Sequence, residues 1–165
     1  MTQQHLVHPI PPTWDTLSEI LILGSFPSVK SREMTYFYGH PQNRFWRVLA
    51  AIFEEPVPET KEDRKAFLLL HHLAAWDVIA SCTITGSDDS SIRDVQANDL
   101  QPILDEAPIR QIFVNGKKAG ELYRKYIEPG TGRAAVCLPS TSPANAAWSL
   151  ERLTAAWKEH LTAVY

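Results

Sequence analysis

The chain has 165 residues, 44% of them hydrophobic and 21% charged, and a net charge of −3. That is enough for one domain, 1–165, with its own core and too little for two, and the mild acidity does not by itself suggest a nucleic-acid partner. No apolar run is long enough to cross a membrane, and two cysteines without ligand spacing, Cys82 and Cys137, exclude a disulfide scaffold, a zinc site and an iron–sulfur cluster.

The opening MTQQHLVHPIPPTW has neither a basic n-region nor an apolar h-region, so a cytoplasmic protein is expected, with 1–17 an extended N-terminal segment. Leu21, Ile22 and Leu23, closed by Gly24, suit a buried strand. Asn43 precedes Phe45, Val48, Leu49, Ile52 and Phe53, a helical stripe with Asn43 at or near its N-cap, and Glu55-Pro56-Val57-Pro58 ends it. Thr60 caps a second helix to about Leu73, with Asp63 in capping-box position. A strand is expected over 76–80, a polar loop over 81–94 and a helix from Asn98 and Asp99 to about Glu106. The run 109–114 is a third strand ending in Asn115-Gly116. Ala119, Leu122, Tyr123 and Tyr126 mark the next helix, and 134–138 is a fourth strand. The loop PSTSPAN (139–145) leads to a last helix with Leu150, Leu153, Trp157, Leu161 and Val164 on one face. Short apolar strands alternating with amphipathic helices predict an α/β fold, three layers around a mainly parallel four-stranded sheet.

In such sheets ligands bind beyond the carboxyl ends of the strands. GSFPS (24–28), the stretch from Trp76-Asp77 to GSDDSS (86–91), Asn115-Gly116 and PSTSPAN all lie at strand ends, so four loops converge on one rim. Two basic groups flank it: Lys30, Arg32, Arg44 and Arg47, then Lys117, Lys118, Arg124 and Lys125. Either alone is an ordinary solvated face; together they matter if the fold brings them to one edge.

GSFPS lacks the G-x-x-x-x-G-K-[ST] pattern of a phosphate loop and the G-x-S-x-G pattern of a nucleophile elbow. Ser25, Ser28, Ser140 and Ser142 have no His and acid in register. His71 and His72, adjacent on a helix, point in different directions and are expected at the solvated surface rather than on a metal. Asp77 and Asp88 are assigned structural or loop roles.

The blocks LGSFPSVKS, YFYGHPQNRFW, WDVIASC with GSDDSSI, IFVNGKKA and LPSTSPANA occur in that order. The combination resembles the hypoxanthine-DNA (deoxyinosine) glycosylases, the sixth family of the uracil-DNA glycosylase superfamily, over nearly the whole chain. The related mismatch-specific uracil glycosylases share the HPxNRFW feature but carry an Asn where this chain has Ser25-Phe26.

The resemblance implies an enzyme that extrudes a nucleotide, holds its base and helps water displace it at C1′. It implies no cofactor. The main uracil branch places an Asp in the first motif, whereas Gly24-Ser25-Phe26-Pro27-Ser28 is neutral; the family pattern moves the catalytic duty to Asn43. Gly24, Ser25, Phe26, Tyr38 and Asn115 are then expected around the base, with the Asn115 carboxamide pairing to the N1–H and O6 edge of hypoxanthine. Pro27, Ser28, His40, Arg44, Lys117, Ser140, Thr141, Ser142, Pro143, Ala144 and Asn145 are expected against DNA. Pro143, Ala144 and Asn145, where other branches carry a large wedge, are small or polar. Lys30 and Lys117 have no evident means of lowering their pKa, so a monofunctional enzyme is expected. The expected partner is double- or single-stranded DNA with a deaminated base, bound by a monomer, hypoxanthine first. Two other readings stay open: a uracil or G/U-mismatch glycosylase, and a non-catalytic nucleic-acid-binding module.

Overall fold

In the computed structural model, residues 3–164 are described. Met1 and Thr2, the start of the expected 1–17 segment, and Tyr165, the end of the expected domain, lie outside them. In chain order the elements are β1 (Gln3–Val7), β2 (Ile20–Gly24), α1 (Val29–Met34), α2 (Phe45–Phe53), α3 (Lys61–Leu70), β3 (Leu73–Asp77) and β4 (Ile79–Thr85). A 3-10 turn (Asp89–Ser91), β5 (Arg93–Ala97), α4 (Gln101–Glu106) and β6 (Gln111–Asn115) follow, then α5 (Lys117–Tyr126), α6 (Glu128–Thr131), β7 (Ala135–Leu138) and α7 (Leu150–Thr162).

Strands β3, β2, β6 and β7 pair in that order, all parallel. Side chains alternate across a strand, and β2 divides its apolar residues accordingly. Ile20 and Ile22 enter a cluster with Phe45 and Leu49 of α2 and Trp157 of α7. Leu21 and Leu23 enter a second cluster with Ile103 of α4 and Leu122 and Tyr123 of α5. All four β2 side chains are fully buried, each contributing about 1.5–3 kcal/mol. The result is the expected three-layer α/β arrangement.

One part of the second face was not expected. The 81–94 stretch is a loop only in its middle: β4 runs through Ile79–Thr85 and pairs antiparallel with both β1 and β5 in a separate three-stranded sheet. Cys82 and Ile84 alternate inward along β4 while Thr83 and Thr85 are only partly buried, a period-2 pattern inside a polar composition. The strand expected over 76–80 is accordingly two, breaking at Val78, where the backbone N–H groups of Val78 and Ile79 donate to the carbonyls of Gly24 and Ser25 (2.8 and 3.1 Å). The extended 1–17 segment contains β1, and the chain after it seals the sheet's edge. Thr13 and Ala75 exchange backbone hydrogen bonds (3.0 and 2.9 Å), and the Trp76 indole donates to the Ile10 carbonyl (3.1 Å).

Smaller boundary shifts have local causes. Helix α3 begins as expected, with the Thr60 hydroxyl accepting from the Asp63 N–H, but stops at Leu70, ahead of His72 in the left-handed region (φ 58°). Helix α4 starts at Gln101, whose N–H donates to the Asp99 carboxylate, while Asn98 bridges the carbonyls of Asp77 and Ile79. His71 is not solvated surface: it stacks on Phe53 (3.9 Å, 17°) and pairs with Glu55. Leu150 is exposed rather than part of the buried α7 stripe, and Tyr126 likewise lies outside that of α5.

Candidate functional site

Because the sheet is parallel, Gly24, Asp77, Asn115 and Leu138 end their strands at one edge, with Gly24 paired to Asp77 and Asn115 to Leu138. The loops leaving these ends enclose a cavity of about 320 Å³, within the ordinary range for small-ligand sites. Gly24, Ser25, Phe26, Pro27, Ser28, Tyr38, His40, Asn43, Asn115, Ser140, Thr141, Ser142, Pro143 and Ala144 all line it. Arg44, Lys117 and Asn145 do not; Lys117 and Asn145 line an adjoining groove with Lys118 and Trp148.

Gly24 is required by close approach. A Cβ on it would stand 2.4 Å from Asp77 Oδ1 and 3.1 Å from the Tyr38 hydroxyl, so any side chain displaces the groups behind it. Ser25 donates to Asp89 Oδ1 (3.1 Å). Asp89 as a residue is exposed, yet the protein crowding its carboxyl holds its pKa above the usual carboxylate range, with the Ser25 hydrogen bond opposing. Phe26 is buried edge-on to His8 (5.8 Å, 89°), with the Arg32 guanidinium 5.7 Å above its ring. Arg32 donates to the carbonyls of Pro27 and Gly86, so it fixes the shape of the first loop from behind. Ser28 caps α1 by accepting from the Ser31 N–H (3.1 Å).

The aromatic run before α2 has two functions. Tyr36 and Phe37 are core, Tyr36 sharing a buried hydrogen bond with Thr13 (2.8 Å). Tyr38, in the left-handed region (φ 53°), stacks face to face on Phe45 (3.9 Å, 16°) at the cavity. Its hydroxyl is buried beside Asp77 and Asn115 without a hydrogen bond of normal geometry. Burial pushes its pKa up, so it remains a proton donor.

Asn43 lies two residues before α2. Its Oδ1 accepts from the Phe45 N–H (2.9 Å), an Asx-type turn into the helix, and its Nδ2 amide makes no hydrogen bond among the described residues. Asn115 is held at both carboxamide atoms by one residue: Nδ2 donates to Thr141 Oγ1 (2.9 Å) and Oδ1 accepts from the Thr141 N–H (3.1 Å). An amide with those two bonds keeps one donor and one lone pair.

Three residues expected against DNA are engaged inside the protein instead. Thr141 is fully buried on Asn115. The Arg44 guanidinium donates to Ser142 (2.8 Å), Asn145 (3.0 Å) and Trp148 carbonyls, and its backbone N–H donates to Thr141. Arg44 therefore shapes the 139–148 loop. Asn145 also faces inward, its side chain donating to the Ser140 carbonyl (3.0 Å). Pro143 and Ala144 are exposed at the loop's tip. Asp77, assigned a structural role from sequence, lines the cavity at 4% exposure and receives His8 Nε2 on Oδ2 at 2.7 Å. No spacing in the sequence pairs residues 8 and 77; the strand-end position of Asp77 was the only available signal.

A base-sized cavity at the carboxyl edge of a four-stranded parallel sheet, lined by amides and an aromatic ring and adjoined by a groove with two lysines, is the arrangement a DNA glycosylase requires. Such an enzyme is a hydrolase of N-glycosyl bonds that takes up a base turned out of the helix. The match to the Uracil DNA glycosylase superfamily spans residues 11–161. A hypoxanthine DNA glycosylase of Methanosarcina acetivorans is 38% identical over 144 residues, covering 86% of this chain and 90% of that protein. One of Methanosarcina barkeri is 35% identical over 151 residues, covering 90% and 94%. The solution NMR structure of a candidate uracil DNA glycosylase from Methanosarcina acetivorans superimposes with a TM-score of 0.77 at 33% identity, covering 94% of this chain and 98% of its own. The chain belongs to the uracil DNA glycosylase superfamily.

Proposed function

We propose that this protein acts as a monomeric, monofunctional glycosylase that removes deaminated purine, hypoxanthine first, from DNA. The observation that carries this reading is that Asn43 and Asn115 line one cavity whose first loop is neutral. The names of the two Methanosarcina relatives favour hypoxanthine over uracil.

The chemistry asks for little else. The C1′–N bond breaks with its electron pair going to the base, water oxygen bonds to C1′, and the water's proton ends on the departing base or solvent. Negative charge grows on the base, so neutral donors aimed at it are worth most. The Tyr38 hydroxyl and the remaining Asn115 N–H are such donors. The free amide of Asn43 orients the water. No lysine lines the cavity, and Lys30 is paired with Glu33 at the surface (3.4 Å), which favours hydrolysis by water over a Schiff base. Single-turnover release of free base from duplexes carrying deoxyinosine, deoxyxanthosine or deoxyuridine tests this directly. Release of hypoxanthine first is expected; fastest release of uracil overturns the purine assignment, and no release from any duplex overturns the enzyme reading.

DNA affinity is expected to fall with salt despite the acidic net charge, by about 0.9 in the log–log slope for each phosphate neutralised. Lys117→Gln, in the adjoining groove, should weaken binding to every sequence about equally and reduce that slope by about 0.9. Titrations at several salt concentrations read both quantities, and an unchanged slope would place Lys117 on ordinary surface.

A further inference from the structure

Breaking the C1′–N bond separates charge: the base turns negative as the sugar turns positive. The base is held inside the cavity, whereas the sugar and its phosphates stay with the strand outside. Neutral donors suit the first charge; a carboxylate suits the second. Two carboxylates line the cavity among the described residues, Asp77 and Asp89. Asp77 is 4% exposed, with one oxygen taken by His8. Asp89 is open to solvent and also lines the adjoining groove with Lys117 and Lys118, so it stands where cavity and groove meet. A strand that lies along the groove and turns one base inward carries its sugar past this junction.

Asp89 is fixed to the first loop, although that loop has no acid of its own. Ser25 Oγ donates to Asp89 Oδ1 (3.1 Å), and two further ties join the same segments. The Val29 N–H donates to Ser87 Oγ (2.9 Å), and Arg32 donates to the Gly86 carbonyl (3.2 Å). The neighbouring Asp88 is engaged by the turn itself, its Oδ1 accepting from the Ser90 N–H and hydroxyl (3.0 and 2.6 Å). Asp89 Oδ2 makes no hydrogen bond among the described residues. A carboxylate held by one oxygen keeps the other for water or sugar.

Resting on the glycosylase reading, though not on which base is removed, we propose that Asp89 is a catalytic residue. Its Oδ2 stabilises the positive charge at C1′ and accepts a proton from the attacking water. The C1′–N bond breaks with its electron pair on the base, the water oxygen bonds to C1′, and the water's proton passes through Asp89 to solvent. The Asn43 amide holds that water as a donor, so an acceptor is its complementary partner. The carboxyl must be ionised for both tasks. Protein crowding raises its pKa, the Ser25 hydrogen bond and Lys118 of α5 lower it, and Asp77 of β3 and Asp88 raise it again. Cys82 of β4, its thiol pushed up by burial to about 11, stays neutral. The net shift is upward, and the phosphates of a bound strand add to it. Release should therefore fail, as pH drops, above the ordinary carboxylate value of about 4.

The test is single-turnover base release, at saturating enzyme, from the lesion duplex that the wild type processes fastest. It is followed from about pH 4 to 8, with DNA affinity measured alongside. Asp89→Asn keeps the shape and removes the charge. It is expected to slow release by about 100-fold or more and to abolish the acid limb of the profile. DNA binding should tighten, because a negative charge has left the groove that meets phosphate. Ser25→Ala leaves the acid without its anchor, so release should slow by less. Its acid limb should move to higher pH, since the lost hydrogen bond favoured the ionised form. The double variant should be no slower than Asp89→Asn alone. An undiminished rate in Asp89→Asn, with tighter binding, would make Asp89 a rim charge and nothing more. A slower rate that keeps the wild-type acid limb would make it a loop support, the limb then belonging to His40 or Asp77 in the same cavity. Either result overturns the proposal and leaves the glycosylase reading intact, whereas a wild type that releases no base from any lesion duplex overturns both. If Asp89→Asn does not fold, Ser25→Ala decides: an acid limb that stays in place overturns the assignment.

Discussion

Asn43→Ala is expected to lower single-turnover base release by about 100-fold or more, the scale on which removal of one preorganised catalytic donor is felt. Stability should fall by only about 1 kcal/mol, the share of the Asx bond to the Phe45 N–H. For a chain of this length that is roughly 2–4 °C in Tm. The two readouts separate because the carboxamide is divided: its oxygen serves helix α2 and its nitrogen is left to the cavity. Asn43→Asp sharpens the point. It keeps the oxygen for Phe45 and adds a charge that a helix N-terminus favours, so stability should hold or rise slightly. It removes the amide donor, so release should fall or change its base preference. Activity that simply follows stability across the two variants would make Asn43 a helix-entry residue and nothing more.

The parts of this fold that were legible from sequence are those whose signal is local. Leu21-Ile22-Leu23 closed by Gly24, the α2 stripe, Thr60 with Asp63, and the strand ending at Asn115 each carry their pattern within a few residues. Strand β4 was hidden because its inward residues, Cys82 and Ile84, are separated by Thr and followed by Gly, Ser and Asp, so composition outweighed alternation. Strand β1 has only Leu6 partly buried. It exists because β4, nearly eighty residues later, supplies its ladder, and no periodicity announces that.

The site divides the same way. Its loops were legible because a parallel sheet delivers all strand ends to one edge, a rule that needs only strand order in the chain. What each side chain does there depends on partners far away in sequence. Asp77 passed for structural because His8 is brought beside it only when the N-terminal segment crosses β3 at Thr13. Thr141 passed for a DNA contact because its hydroxyl is indistinguishable in sequence from that of Ser140, and only the fold turns it onto Asn115. Arginine is the strongest case: a guanidinium next to a DNA-facing loop is as well suited to carbonyls as to phosphates, and the chain decides which it meets first.

That case yields the second large effect. Arg44→Met should destabilise the protein by about 3 kcal/mol or more, since three charge-assisted hydrogen bonds are lost and the carbonyls of Ser142, Asn145 and Trp148 lose their donor. Base release per folded molecule should fall by about 100-fold as well, because the loop that presents Thr141 to Asn115 is no longer held. Arg44→Lys keeps the charge but not the planar fork that reaches three acceptors, so it should recover little of either. The salt titration separates this role from phosphate binding. A phosphate contact would be lost with a slope change of about 0.9 in Arg44→Met and largely restored in Arg44→Lys. A loop clamp predicts the opposite pattern: affinity falls in both variants at every salt concentration, and the slope stays at its wild-type value while Lys117→Gln moves it.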